Sequence, residues 1–222
     1  MTTLTLSLID GATGRFSAWL DASYPDDMNV DLVTYRRVGK VIEEVGEVAS
    51  AVGGYFGENP RKGITHTLDD LQGELLDVAF AALGAWEHLD GNPRLAATAL
   101  LTHVRTADEP TFTADASDVH RLNAYIAAYN DRNVPVRSGE PVELTLRRRV
   151  ATLSRAAGLV AEHLDGYTHG HIGTGSLQRR LLDVAAVALA THDATAERGT
   201  AALALYGKAA FVLTRVGLPA PQ

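Results

Sequence analysis

The chain has 222 residues, 46% of them hydrophobic and 21% charged, which is enough for one or two domains with a full core. It contains no cysteine, which excludes disulfides, thiolate metal sites and a cysteine nucleophile. With 27 acids against 20 bases, the net charge of −7 argues against a nucleic-acid duplex as the main partner, but not against a small anionic ligand held through a metal.

The opening residues 2–8 alternate Thr or Ser with Leu, a weak strand signal with no partner elsewhere. Residues 1–10 hold an Asp and no Lys or Arg, unlike a signal peptide, so a cytoplasmic protein is expected. Val38, Val41, Ile42, Val45, Val48, Ala49 and Val52 then recur at i, i+3, i+4, i+7 spacing, one face of a helix that Gly53-Gly54 is expected to end. A loop follows through Gly57-Glu58-Asn59-Pro60-Arg61-Lys62-Gly63. Thr67 suits a helix N-cap, with Asp69 and Asp70 in the first turn, and that helix is expected to run to about His88. A further helix is expected over 95–104. Beyond it, helices are expected over about 122–129, 146–164, 177–192 and 200–216, with linkers at 108–115 and 131–140. The longest apolar stretch, 181–190, carries Asp183 and is too short to span a bilayer. With 34 alanines and 6% aromatic residues, the chain is expected to be all-α, a bundle of closely packed helices.

The chain also reads as two related halves. The segment from Arg37 to Ala49 lines up with Arg149 to Ala161 at an offset of 112. Leu75-Leu76-Asp77-Val78-Ala79 matches Leu181-Leu182-Asp183-Val184-Ala185 at 106, and Phe16 to Leu20 aligns loosely with Leu122 to Ile126 at the same offset. Three matches in one order divide the chain into residues 1–109 and 110–222.

The chemistry lies in the first half. Glu44 and Glu47 are three apart on one helix, and Glu74 and Asp77 are three apart on the next, so each pair shares a helix face. On a wheel of about 100° per residue, Glu44 sits beside Val48 at the edge of the apolar stripe and Glu47 one step further out. Asp77 is the only charged residue between Leu75 and Trp86. An Asp in such a segment needs a partner, either a cation shared with the other acids or an Arg or Lys elsewhere in the core. Four converging carboxylates repel one another when bare, and a hard divalent cation resolves this.

Lys40-x-x-Glu43-Glu44-x-Gly46-Glu47, followed after 26 residues by Glu74-Leu75-Leu76-Asp77, resembles the MazG family of all-α nucleoside triphosphate pyrophosphatases, whose pattern is EExxE…ExxD. The resemblance covers residues 35–90 well and the second half only as a degenerate copy. It implies a helical bundle, usually built by dimerisation, and Mg²⁺-dependent cleavage of a nucleoside triphosphate to monophosphate and pyrophosphate, with Mn²⁺ as a substitute cation. It assigns metal-ligand roles to Glu44, Glu47, Glu74 and Asp77, and to Glu43 the orienting or activating of water. In the second half Glu44 aligns with Ala156, Glu47 with Leu159 and Glu74 with Arg180, and only Asp77 has its counterpart, Asp183. A second metal site is therefore not expected, and Arg180 and Asp183 are placed to form an ion pair. The expected architecture is a pseudo-dimer in one chain, with one catalytic and one structural repeat. Pairing of whole chains into a homodimer remains compatible with it.

Other residues carry two readings each. Arg61 and Lys62 either contact phosphates or belong to a solvated loop, which resembles one in MazG-like relatives from actinobacteria. His66 either binds phosphate or caps a helix, and Lys40, one turn before Glu44, either reaches phosphate or pairs with that acid. Trp19, Trp86 and Phe80 either stack a base or fill the core. His169-Gly170-His171 lacks acidic or cysteine partners and reads as a loop, and Gly173-Thr174-Gly175-Ser176 as a turn and N-cap. The expected substrate is a nucleoside triphosphate. The alternatives are another phosphate substrate such as phosphoribosyl-ATP, or a non-catalytic helical module that binds metal or a partner.

Overall fold

A computed structural model of the chain describes residues 4–91, 94–105, 112 and 115–219. Among these residues the protein is all-helical. Its elements are α1 (Leu6–Ala22), α2 (Val30–Tyr55), α3 (Leu68–Asp90), α4 (Ala96–Val104), α5 (Asp118–Asn133), α6 (Val142–Thr168), α7 (Thr174–Thr195) and α8 (Ala201–Arg215). No helix is long and apolar enough to cross a membrane. The expected division between residues 109 and 110, and most of the linker 108–115, lie outside the described residues.

The bundle is organised around α3 and α7, which pack on each other and on the long helices α2 and α6. Both central helices are buried almost all round in their middle turns, from Val78 to Glu87 and from Val184 to Asp193, apart from half-buried Ala81. Ala82, Ala85, Ala185, Ala186 and Ala188 explain the close approach, since a methyl group leaves room for a neighbouring backbone. Helix α2 covers α3 and α6 covers α7, while α2 and α6 also touch. The shorter α1, α4, α5 and α8 close the remaining sides, with α1 against α8 and α4 against α5.

Local signals start and stop these helices. Thr67 and Asp70 form a reciprocal capping box at the head of α3, and Gly91 ends it in the left-handed conformation at φ 66°. Asn29 caps α2 by accepting from the Leu32 N–H at 3.1 Å. Two expectations need correction. Residues 6–8 belong to α1, because Leu6 and Ile9 fall on the face that enters the core. Gly53-Gly54 does not end α2, which continues to Tyr55. These glycines serve close approach instead: a Cβ at Gly54 would stand 2.0 Å from His66 Nδ1, and one at Gly53 would stand 2.7 Å from Glu58 Oε2.

Several contacts of similar kind recur along the chain. Gln72 of α3 donates to the Thr195 carbonyl at the end of α7, and Gln178 of α7 donates to Asp90 at the end of α3. Buried Glu87 accepts from the Arg94, Leu95 and Ala96 N–H groups at the head of α4. Buried Asp193 accepts from Gly199 just before α8. Asp10 of α1 accepts from Ala97 and Thr98 of α4, as Asn123 of α5 accepts from Ala202 of α8. Glu87, Asp10 and Asn123 thereby satisfy N–H groups at the starts of α4 and α8 that have no partner within the helix.

Candidate functional site

Glu44 and Glu47 lie on α2, and Glu74 and Asp77 on α3. Packing of these two helices brings Glu44, Glu74 and Asp77 together, with one oxygen of each within 4.8 Å of the others. Glu44 is buried, 7% exposed, and the other two are half-buried. Glu47 stands at the exposed rim of the cluster, hydrogen-bonded to the Glu44 side chain. Glu43 faces outward and pairs with Lys40 at 3.0 Å, so it does not join the converging acids.

The electrostatics follow from this crowding. Burial pushes the Glu44 carboxyl up to about 7, helped by its hydrogen bond with Glu47 and the charge of Asp77, and opposed by Lys40. Glu74 is also raised, first by burial and then by Glu47 and Asp77. Lys40 reaches Glu44 at 2.7 Å. Burial disfavours its charge, but hydrogen bonds to Glu44 and Glu43 outweigh this and hold it above the usual lysine value. Asp77 accepts from Lys208 of α8. Of the two partners expected for Asp77, the basic residue is present as Lys208, and Glu44 and Glu74 converge beside it.

Lys208 was not legible as a site residue, because it lies 131 positions from its partner. One signal was available. The chain has only three lysines, at 40, 62 and 208, against 17 arginines, and two of the three lie on the acid cluster.

A cleft of about 340 Å³ opens beside the cluster. Lys40, Glu44 and Asp77 line it together with Phe16, Tyr24 and Phe80. The Phe16 and Phe80 rings are 5.0 Å apart at 33°. Buried Arg37 also lines it, with Nη2 donating to the Ser17 hydroxyl at 2.6 Å and the Gly84 carbonyl at 2.7 Å. Trp19 stacks on Phe16, and Trp86 is buried; neither lines this cleft.

The 57–66 loop forms a separate, open cleft of about 680 Å³ against the end of α2, lined by Lys62 and His66 together with Gly53 and Gly54. Arg61 is exposed and lines neither cleft. The loop therefore does not join the Lys40–Asp77 cleft, although the His66 charge acts on Glu74 and Asp70.

The corresponding place in the second half is a closed ion-pair network. Asp183 binds Arg180 at 3.1 Å and His103 of α4 at 2.9 Å. Burial would raise the Asp183 carboxyl, but His103 and Arg180 outweigh it and hold it below the ordinary range. His169 and His171 are exposed, with their rings stacked; contrary to expectation His169 has an acidic partner, Asp165 at 3.5 Å, but among the described residues neither joins a group that could hold a metal. No protein-family model, curated protein or solved structure matches the chain.

Proposed function

We propose that the protein is a Mg²⁺-dependent nucleoside triphosphate pyrophosphohydrolase of the MazG-like kind, acting between the α and β phosphates, with Mn²⁺ as a substitute cation. The observation that carries this reading is the convergence of Glu44, Glu74 and Asp77 oxygens within 4.8 Å beside a half-apolar cleft. Such a donor set suits a hard divalent cation, which prefers oxygen ligands. The Glu44 and Glu74 carboxyls are raised first by burial and then by the neighbouring acids.

When bound there, Mg²⁺ supplies charge neutralisation at the phosphate oxygens and a more acidic bound water. The chain's own residues do the rest. Glu44, Glu74 and Asp77 hold the cation, and Glu47 at the rim takes the proton of the attacking water. Glu43 holds Lys40 at the site until the triphosphate arrives. Lys40 and Lys208 turn from their carboxylates to phosphate oxygens as compact positive charges. Phe16, Tyr24 and Phe80 provide a flat apolar seat for the base. Lys62 and His66 lie in the other cleft and are left outside this mechanism, as is exposed Arg61.

In this reading the chain is a fused pseudo-dimer, whose second half supplies Lys208 and completes the bundle. The matched Gln72/Gln178 and Glu87/Asp193 contacts support that reading. A second reading, a non-catalytic helical module, draws on the Lys40–Glu44 and Lys208–Asp77 pairs, which partly neutralise the acids without a metal. Pyrophosphate release from a panel of NTPs, dNTPs and phosphoribosyl-ATP, with Mg²⁺ and with Mn²⁺, separates the two. Release by wild type and not by Glu74→Gln supports the enzyme. Metal binding without turnover of any member of the panel sinks it.

A further inference from the structure

Arg37, one of the residues lining the cleft beside the acids, carries a buried donor with no acceptor. Arg37 is 4% exposed, and its Nη2 is occupied by the Ser17 hydroxyl and the Gly84 carbonyl. Its Nε faces Asp21 at 3.7 Å. Nη1 is buried and has no hydrogen-bond partner. Among the described residues only two other buried side-chain atoms share that condition, Arg121 Nε and His192 Nδ1, and neither residue lines this cleft. A buried guanidinium donor left unpaired is costly, and such groups in folded proteins mark a missing partner or a function. Arg37 is also not free to turn away. It springs from α2 and is pinned by Ser17 on α1 and Gly84 on α3.

The missing partner has a definable chemistry. Arginine offers only donors, so it accommodates an oxygen acceptor and rejects an amino group that would face it. The rest of the cleft is built for a flat ring, with Phe16 and Phe80 tilted against each other and Tyr24 beside them. Glu44 and Asp77 line the same cleft, so the acids of the proposed phosphate site share it.

We propose that Arg37 selects the base, its Nη1 donating to an exocyclic ring carbonyl of a base seated against Phe16, Tyr24 and Phe80. The site then prefers oxo bases to their amino counterparts. This rests on the nucleotide reading above and adds to it which bases are taken.

Two matched substrate pairs test it, ITP against ATP and UTP against CTP, whose members differ chiefly in an oxo or amino group at one ring position. In wild type, kcat/KM favours the oxo member of at least one pair by about tenfold or more, because the amino analogue leaves a buried donor unpaired. Equilibrium binding of the corresponding monophosphates shows the same order, independent of turnover. Arg37→Lys keeps a charge near Ser17 and Gly84 but removes the Nη1 group and the fixed direction of its donors. It brings the ratio to within about twofold of unity, mainly through KM, while circular dichroism reports a folded chain. If that variant does not fold, the wild-type ratios alone decide. Equal use of both members in both pairs overturns the assignment to Arg37 and leaves the nucleotide reading standing. A preference retained in folded Arg37→Lys overturns it equally. No turnover and no binding of any of the four triphosphates overturns both readings.

Discussion

Asp77 and Asp183 stand in matching sequence segments and differ in what surrounds them. Asp183 meets Arg180 three residues earlier on its own helix and His103 from α4 of the other half. Asp77 meets Glu74 at the first of those positions and Lys208 from α8 of the other half at the second. The α2 positions diverge likewise: Glu44 and Glu47 in the first half align with Ala156 and Leu159 in the second. One place therefore balances its charge internally, and the other carries excess negative charge. The Asp183 carboxyl is lowered, while Glu44 and Glu74 beside Asp77 are raised. The sign of a few side chains thus decides whether an aspartate is balanced by cationic neighbours or crowded by other acids.

The sharpest way to break this comparison is to neutralise each half in turn. Asp77→Asn is expected to lower pyrophosphate release by about 100-fold or more, since even partners of metal ligands are worth 10- to 100-fold. Asp183→Asn leaves turnover within a few-fold of wild type and lowers thermal stability, because it weakens the contacts of Arg180 and His103. Equal loss of turnover in both variants would show that the halves are not divided in this way.

A conversion tests the same point from the other side. Glu74→Arg copies the Arg180–Asp183 arrangement into the first half. Calorimetry should find Mg²⁺ binding abolished, while thermal melting without metal shows a gain of about 0.2–1 kcal/mol from the new pair. Retained Mg²⁺ affinity would mean that Glu74 is not a ligand.

Proton linkage gives a third, smaller effect. The folded chain holds a proton on Glu44 up to about 7, against an ordinary 4.5, so it binds protons more tightly than the unfolded chain. Stability without metal should therefore fall as pH rises from about 4.5 through about 7 and level off above. Mg²⁺ affinity should rise across the same window, because the proton must leave first. Melting curves with and without saturating Mg²⁺ check both, and a Mg²⁺ affinity independent of pH between 5 and 8 would contradict the assignment of Glu44.

The smallest expected effect concerns the lysine from the second half. Lys208→Met removes the cation beside Asp77, and Mg²⁺ should bind up to about fivefold tighter, as expected for loss of a partly exposed ion pair. The KM for triphosphate should rise at the same time. Weaker Mg²⁺ binding would show that Lys208 supports the cluster instead of competing with the cation.

Much of this protein is written in local pattern. The 3.6-residue spacing of Val38, Val41, Val45, Val48 and Val52 placed α2, because a helix that buries one stripe must repeat its apolar residues at that period. Thr67 and Asp70 marked the head of α3, because capping is satisfied within four residues. Glu44, Glu74 and Asp77 were legible as a candidate cluster from i,i+3 spacing on two successive helices, and Arg180–Asp183 as an ion pair on one.

What the sequence left open depended on contacts between distant segments. Gly53-Gly54 read as a helix end, yet the returning loop uses the missing side chains for close approach. Glu43 matched a motif position but faces outward, since only packing of α2 on α3 decides which side of a helix meets a neighbour. The loop bases 61 and 62 were near the acids in sequence and lie outside their cleft in space. Lys208 on Asp77, and the unpartnered Nη1 of Arg37 beside the aromatic seat, appear only when α1, α3 and α8 close around α2. Helices and their caps are fixed by residues within one or two turns, whereas burial, charge partnership and cleft shape are properties of several helices at once. The sequence therefore determined the elements and the acids, and the tertiary structure decided which side chains those acids meet.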